Sequence, residues 1–158
     1  MKEDYAHKSI LHTSDFILTI VIVVGGLVEY FLLWHWSMPI PEYLRIILGI
    51  TLLLFSISLI AKSKSELNKA KQPSEPGKPT TQIIQSGIYA QTRNPTYLGC
   101  AILLLGLGIT FNFYSWVVGS LFALVLMHVL LVLPEEKYLS AKFPKEFSEY
   151  KKKVRRWI

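Results

Sequence analysis

The 158-residue chain has a single cysteine, Cys100, and little charge: Asp, Glu, Lys and Arg together make up 18% of it, against about 25% in an ordinary soluble domain. A lone cysteine excludes an intrachain disulfide and a multi-thiolate metal site. No HExxH pair, GxGxxG turn or P-loop occurs, and no internal repeat. The sequence therefore gives no basis for a zinc hydrolase, a dinucleotide fold, a phosphate cradle or a solenoid. The largest gap is in the charge itself. From Asn94 to Pro134 there is no Asp, Glu, Lys or Arg in 41 consecutive residues. As helix that run measures roughly 61 Å, two crossings of a hydrocarbon layer about 30 Å thick.

What fills the gaps is apolar: 51% of residues are hydrophobic and mean hydropathy is +0.36. The composition predicts an all-α, polytopic integral membrane protein with four transmembrane helices, near residues 16–34, 44–61, 96–111 and 115–133. The first run is longer than a signal-peptide core and no small-x-small cleavage site follows it. Met38-Pro39-Ile40-Pro41 reads as a turn between helices one and two, and Phe111–Ser115 as the corner of a hairpin formed by helices three and four. The whole of 1–158 reads as one membrane-embedded domain.

Loop charges give an orientation. Five lysines (62, 64, 69, 71 and 78) fall in the loop 62–94, and eight Lys and Arg in the tail 135–158, while the two opposite turns carry none. The positive-inside rule then puts the N-terminus, the long loop and the C-terminus in the cytoplasm. Trp34, Trp36, Tyr43, Tyr114 and Trp116 fall at the far interface, with Tyr30 and His35. The net charge of +6 flanks apolar segments, which points to membrane lipids and not to nucleic acid. In the tail, Leu139, Phe143, Phe147, Tyr150, Val154 and Trp157 recur at helical spacing. That predicts an amphipathic cytoplasmic tail helix, interrupted at Pro144 and able to lie on the bilayer surface.

Three polar clusters lie at the cytoplasmic ends of helices three and four. In Gly87-Ile-Tyr89 to Arg93-Asn94-Pro95-Thr96-Tyr97-Leu98-Gly99, Pro95 suits a first helical turn and Asn94 its cap. Free N–H groups beside Arg93 suit a carboxylate or phosphate, and Gly99 would admit a planar ligand. The same residues equally describe a capped helix with Arg93 on a lipid phosphate. Glu135 and Glu136 stand where helix four leaves the membrane, a place where Lys and Arg are the usual residues. One of them suits a ribose diol or a cationic ligand, and the alternative is a solvated helix end. The third cluster, Tyr150 with Arg155-Arg156-Trp157, equally describes a lipid-facing basic tail. Glu29 within helix one reads as a structural hydrogen-bonding group or a protonated acid, and His128 as a packed or pore-lining polar residue.

In this order the motifs resemble those of the membrane methyltransferases that include isoprenylcysteine carboxyl methyltransferase and phosphatidylethanolamine N-methyltransferase. The resemblance covers about residues 80–158, with Asn94 where the prenylcysteine branch has His. It implies S-adenosyl-L-methionine as cofactor, no metal, and a lipid or other membrane-partitioned acceptor. It also implies a pocket of Tyr89, Arg93, Asn94, Pro95, Tyr97, Gly99, Glu135 and Glu136, with Arg93 and the two glutamates nearest the chemistry. An amine acceptor would need a base, and one of the glutamates is the nearest candidate. Two other readings remain: a non-enzymatic membrane scaffold or transport component, and an NADPH-dependent enzyme of the sterol-reductase kind.

Overall fold

The computed structural model describes residues 13–33, 36–72 and 80–158. Trp34, His35, the first twelve residues and most of the Pro-rich stretch Gln72–Pro79 lie outside these, so the expectations placed on them are not addressed. Among the described residues every regular element is helical: α1 (Ser14–Val28), α2 (Glu42–Lys69), α3 (Pro95–Phe111), α4 (Tyr114–Met127), α5 (Leu133–Lys142) and α6 (Pro144–Lys153). π-Helical segments extend α1 through Glu29–Leu33 and join α4 to α5 through His128–Val132.

Three continuous helices, Ser14–Leu33, Glu42–Lys69 and Tyr114–Lys142, are long and apolar enough to cross a membrane. α3 is apolar too, but its 17 residues sit at the lower limit for spanning. The outward faces carry large apolar side chains. Val23, Leu54, Leu121 and Phe122 are each more than half exposed, a surface that suits hydrocarbon and would be costly in water.

α2 runs eight residues past its expected end near residue 61. Lys62 to Lys69 are mostly good helix formers, so the charges there mark the exit from the apolar layer and not the end of the helix. Likewise the fourth helix does not stop at 133: α4, the π-helical segment and α5 run on as one helix to Lys142.

α3 is the central helix. It packs most extensively on α2, pairs with α4 in the expected hairpin, and α1 closes against α4. Ile17, Cys100, Leu104, Ala123, Met127 and Leu131 form the core between them. Because lipid is as apolar as leucine, such contacts depend on close fit. Gly49 shows how close: a Cβ there would stand 2.9 Å from the Thr110 backbone N.

The far ends of the helices are capped by charges from other helices. Glu29, 4% exposed, accepts hydrogen bonds on Oε2 from the Ser115 N (2.9 Å) and Oγ (2.7 Å) at the start of α4. Arg45 donates to the Ile109 carbonyl at the end of α3 (3.0 Å). An acid at a helix start and a base at a helix end are the favourable pairings. Asn112 ends α3 in the left-handed conformation (φ 64°), which asparagine tolerates well, and its Oδ1 accepts from Met38 N of the other turn (2.9 Å).

The tail departs from the expected surface helix. α5 and α6 break at Phe143, as Pro144 requires. The apolar face of α6, however, is turned into the protein: Phe147, Tyr150 and Val154 are buried against Ile83, Leu139 and Phe143. The lysine-rich faces are left outside.

Candidate active site

Two features of local chemistry bring the chain back onto α2 after the long loop. Gly87 adopts φ +57°, where a Cβ would meet the Glu66 side chain at 2.6 Å. Ser86 Oγ donates to Glu66 Oε2 (2.7 Å), and Lys69 pairs with Glu66 Oε1 (2.7 Å). A single 3₁₀ turn, Gly87–Ala90, follows. It sets the Tyr89 hydroxyl 2.8 Å from Ser63 Oγ, which is itself 2.7 Å from Thr96 Oγ1. Ser63, fully buried on the extension of α2, thus ties the 3₁₀ turn to the first turn of α3. Burial pushes the Tyr89 phenol up to about 12, so it remains neutral.

The Arg93-Asn94-Pro95 corner comes next. Pro95 is buried in the first turn of α3 and Asn94 occupies the cap position, but the Asn94 side chain does not cap the helix. It donates instead to the Arg156 carbonyl (3.0 Å), which also accepts from Thr92 Oγ1 (3.2 Å), while Arg93 N donates to the Arg155 carbonyl (3.1 Å). With Tyr150 donating to the Tyr89 carbonyl (2.6 Å), the last residues of the chain form a strap across the start of α3. A run of lysine and arginine gives no sign of this, because the strap bonds through main-chain carbonyls.

The two glutamates sit against the same corner and differ in their partners. Glu136 receives Arg156 through two hydrogen bonds (3.0 and 2.8 Å) and Arg93 Nη1 at 2.9 Å. The Arg93 contact is an ion pair without hydrogen-bond alignment, and Arg93 Nε and Nη1 are both buried without a hydrogen-bond partner. The Phe147 ring stacks near the same guanidinium, 6.0 Å from its carbon. Glu135, half-buried, has a neutral partner: the Tyr97 hydroxyl donates to its Oε2 (3.0 Å).

The structure therefore gathers Tyr89, Arg93, Asn94, Tyr97, Glu135 and Glu136 from two separate stretches of chain, 89–97 and 135–136. Gly99 is placed differently. Its missing Cβ faces α2, where it would lie 2.7 Å from Ile60 Cγ1. The glycine serves the α2–α3 contact, not a planar ligand approaching that face. Pro95 starts the helix and is buried by packing. The residues not anticipated are Ser63 and Glu66, both on the part of α2 read as loop. Their signal was the spacing of Ser56 and Ser63, two turns apart on one helix face.

These features define a helical integral membrane protein with a polar, arginine- and carboxylate-lined junction at one end of its bundle. The family model for phospholipid methyltransferases matches residues 44–146, and the chain belongs to that family. It is a membrane methyltransferase whose substrate class is lipid. No curated protein matches the chain significantly. The matched stretch runs from α2 to the first turn of α6, so α1 and the strap lie outside it.

Proposed function

We propose that the protein transfers a methyl group from S-adenosylmethionine to a lipid amine or another membrane-partitioned acceptor, at the junction of Arg93, Asn94, Tyr97, Glu135 and Glu136. The observation that carries this is the meeting of the α3 corner with both glutamates, within the region that matches the family. In this reading α3 is a fourth crossing, and the N-terminus, the long loop and the strap face the cytoplasm. A water-soluble cofactor and a lipid acceptor then meet at the inner membrane surface.

The residues suit that cofactor. The buried Arg93 Nε, which has no hydrogen-bond partner, is free to take a carboxylate, the arrangement arginine favours. Glu136, already shared by two guanidinium groups, holds Arg93 in place and closes the strap. Glu135 faces no cation among the described residues, so it is the carboxylate free to receive a positively charged group or a diol. The cofactor supplies an electrophilic sulfonium methyl. Tyr97 fixes the Glu135 carboxylate by hydrogen bonding, and Glu135 accepts the proton that an ammonium acceptor must lose before it can act as nucleophile. The strap and the Phe147 ring exclude water, and transfer by in-line displacement depends on alignment in a dry site.

Transfer of labelled methyl from S-adenosylmethionine tests the proposal, measured on purified protein in nanodiscs over a panel of amino-, hydroxyl- and carboxyl-bearing lipids. Incorporation into one class, abolished in Glu135→Gln, supports it. No incorporation above a protein-free control into any lipid refutes it.

A further inference from the structure

At the other end of the bundle lies a second concave site, which the methyl-transfer reading does not use. A cavity of about 380 Å³ opens between the two far turns, lined by Glu29, Tyr30, Trp36, Phe111, Asn112 and Phe113, with Gly26 at its edge. α3, 17 residues long, separates it from the Arg93 corner by about 25 Å, so the two sites cannot share a small ligand.

Four of its lining side chains are aromatic, and one is a buried carboxylate. Glu29 accepts both Ser115 hydrogen bonds on Oε2. Its Oε1 receives none from the described residues, and no described Lys or Arg pairs with it. Arg45, the Lys or Arg of this end among the described residues, donates to the Ile109 and Thr110 carbonyls. Asn112 is likewise committed, to the Met38 N–H. Among the described residues the cavity therefore presents aromatic rings, one carboxylate without a paired cation, and no competing cation. The π-helical turn beginning at Glu29 adds a local distortion of the kind that helices show at functional positions.

We infer that this cavity binds an alkylammonium group, such as the headgroup of a choline-type lipid in the leaflet opposite the active site. Aromatic rings attract an alkylated cation through their quadrupoles and shed the water around its methyl groups. The carboxylate supplies the matching charge in a setting of low dielectric. An anionic or purely apolar ligand would leave Glu29 unanswered, which is costly at membrane depth.

The test is native mass spectrometry of the purified protein with dioleoylphosphatidylcholine, compared with a neutral glycolipid of the same acyl chains. A parallel arm titrates tetramethylammonium chloride and follows thermal shift. Glu29→Gln keeps an oxygen for the Ser115 cap and removes the charge. Trp36→Ala removes one ring and leaves that cap untouched. The expected result is phosphatidylcholine retention over the glycolipid that falls about tenfold in each variant, with the melting temperature and methyl transfer of Trp36→Ala unchanged. Selective lipid retention without a tetramethylammonium response puts the ammonium on a lipid, and a response to tetramethylammonium alone puts it in solution. Both support the site. Equal retention of the two lipids with no tetramethylammonium response, or undiminished binding in Trp36→Ala, overturns it.

Discussion

The Tyr97 hydroxyl donates to Glu135 Oε2 at 3.0 Å across 38 residues of chain. Between the two lie α3, the corner at Asn112 and all of α4, so the bond exists only because the hairpin returns in register. It also distinguishes adjacent glutamates of identical chemistry. Glu136 is answered by two arginines, whereas Glu135 is held by a neutral phenol.

Replacement of Tyr97 by phenylalanine should therefore separate function from folding. The lost hydrogen bond costs about 1 kcal/mol of stability, whereas methyl transfer should fall about tenfold as the Glu135 carboxylate loses its fixed orientation. Thermal melts beside a labelled-methyl assay check both. An equally active Tyr97→Phe would remove the positioning role.

The two glutamates should fail differently. Glu136→Ala leaves Arg93, largely buried, and Arg156 without their counter-charge. We expect it to destabilise by about 2 kcal/mol and to loosen the strap, read as faster proteolysis near residues 143–158. Glu135→Ala loses only the Tyr97 hydrogen bond, so it should cost about 1 kcal/mol and leave strap proteolysis near wild type. The reverse order of sensitivities would contradict the assignment.

Close packing of α2 on α3 predicts that Gly49→Ala costs about 1–3 kcal/mol by overpacking, because the new methyl meets both the Thr110 backbone and the Thr110 Oγ1, which is held by its hydrogen bond to the Gly106 carbonyl. Gly99→Ala should cost less, since Ile60 can shift. Thermal unfolding in one detergent ranks the two.

Burial raises Tyr89 to about 12 and also raises Tyr150, whose hydroxyl donates to the Tyr89 carbonyl. A phenol with a raised folded value contributes stability that is complete below its unfolded value, about 10, and is lost as pH rises through the folded one. The melting temperature should fall between about pH 10 and 12, and less steeply in Tyr89→Phe. An identical slope in that variant would show that Tyr89 does not contribute.

Sequence alone exposed much of this architecture. The 41-residue charge gap carried the α3–α4 hairpin, and Asn94-Pro95 located the start of α3 to within one residue of the expected 96, because proline restricts its neighbours so strongly. Charge was a poorer guide to helix ends. Lys62–Lys69 extend α2, and that extension supplies Ser63 and Glu66, which seat Tyr89 and Gly87. Gly99 reads in the sequence as admitting a planar ligand, but it faces α2; a missing side chain serves ligand approach and helix contact equally well. The bonds that tie the tail to Thr92, Arg93 and Asn94 were out of reach, since they use carbonyls that every residue has. Glu29 was legible as structural, but its partner Ser115, 86 residues away, was not.

The central claim is that one end of this bundle grips S-adenosylmethionine between the α3 corner and Glu135. Calorimetric titration of the purified protein with S-adenosylhomocysteine tests it most directly. The account predicts saturable binding that weakens at least tenfold in Arg93→Leu and in Glu135→Gln, and stays near wild type in Trp36→Ala at the far cavity. Wild-type protein that is folded by its melt yet shows no binding heat, or binding indifferent to both Arg93 and Glu135, would contradict it.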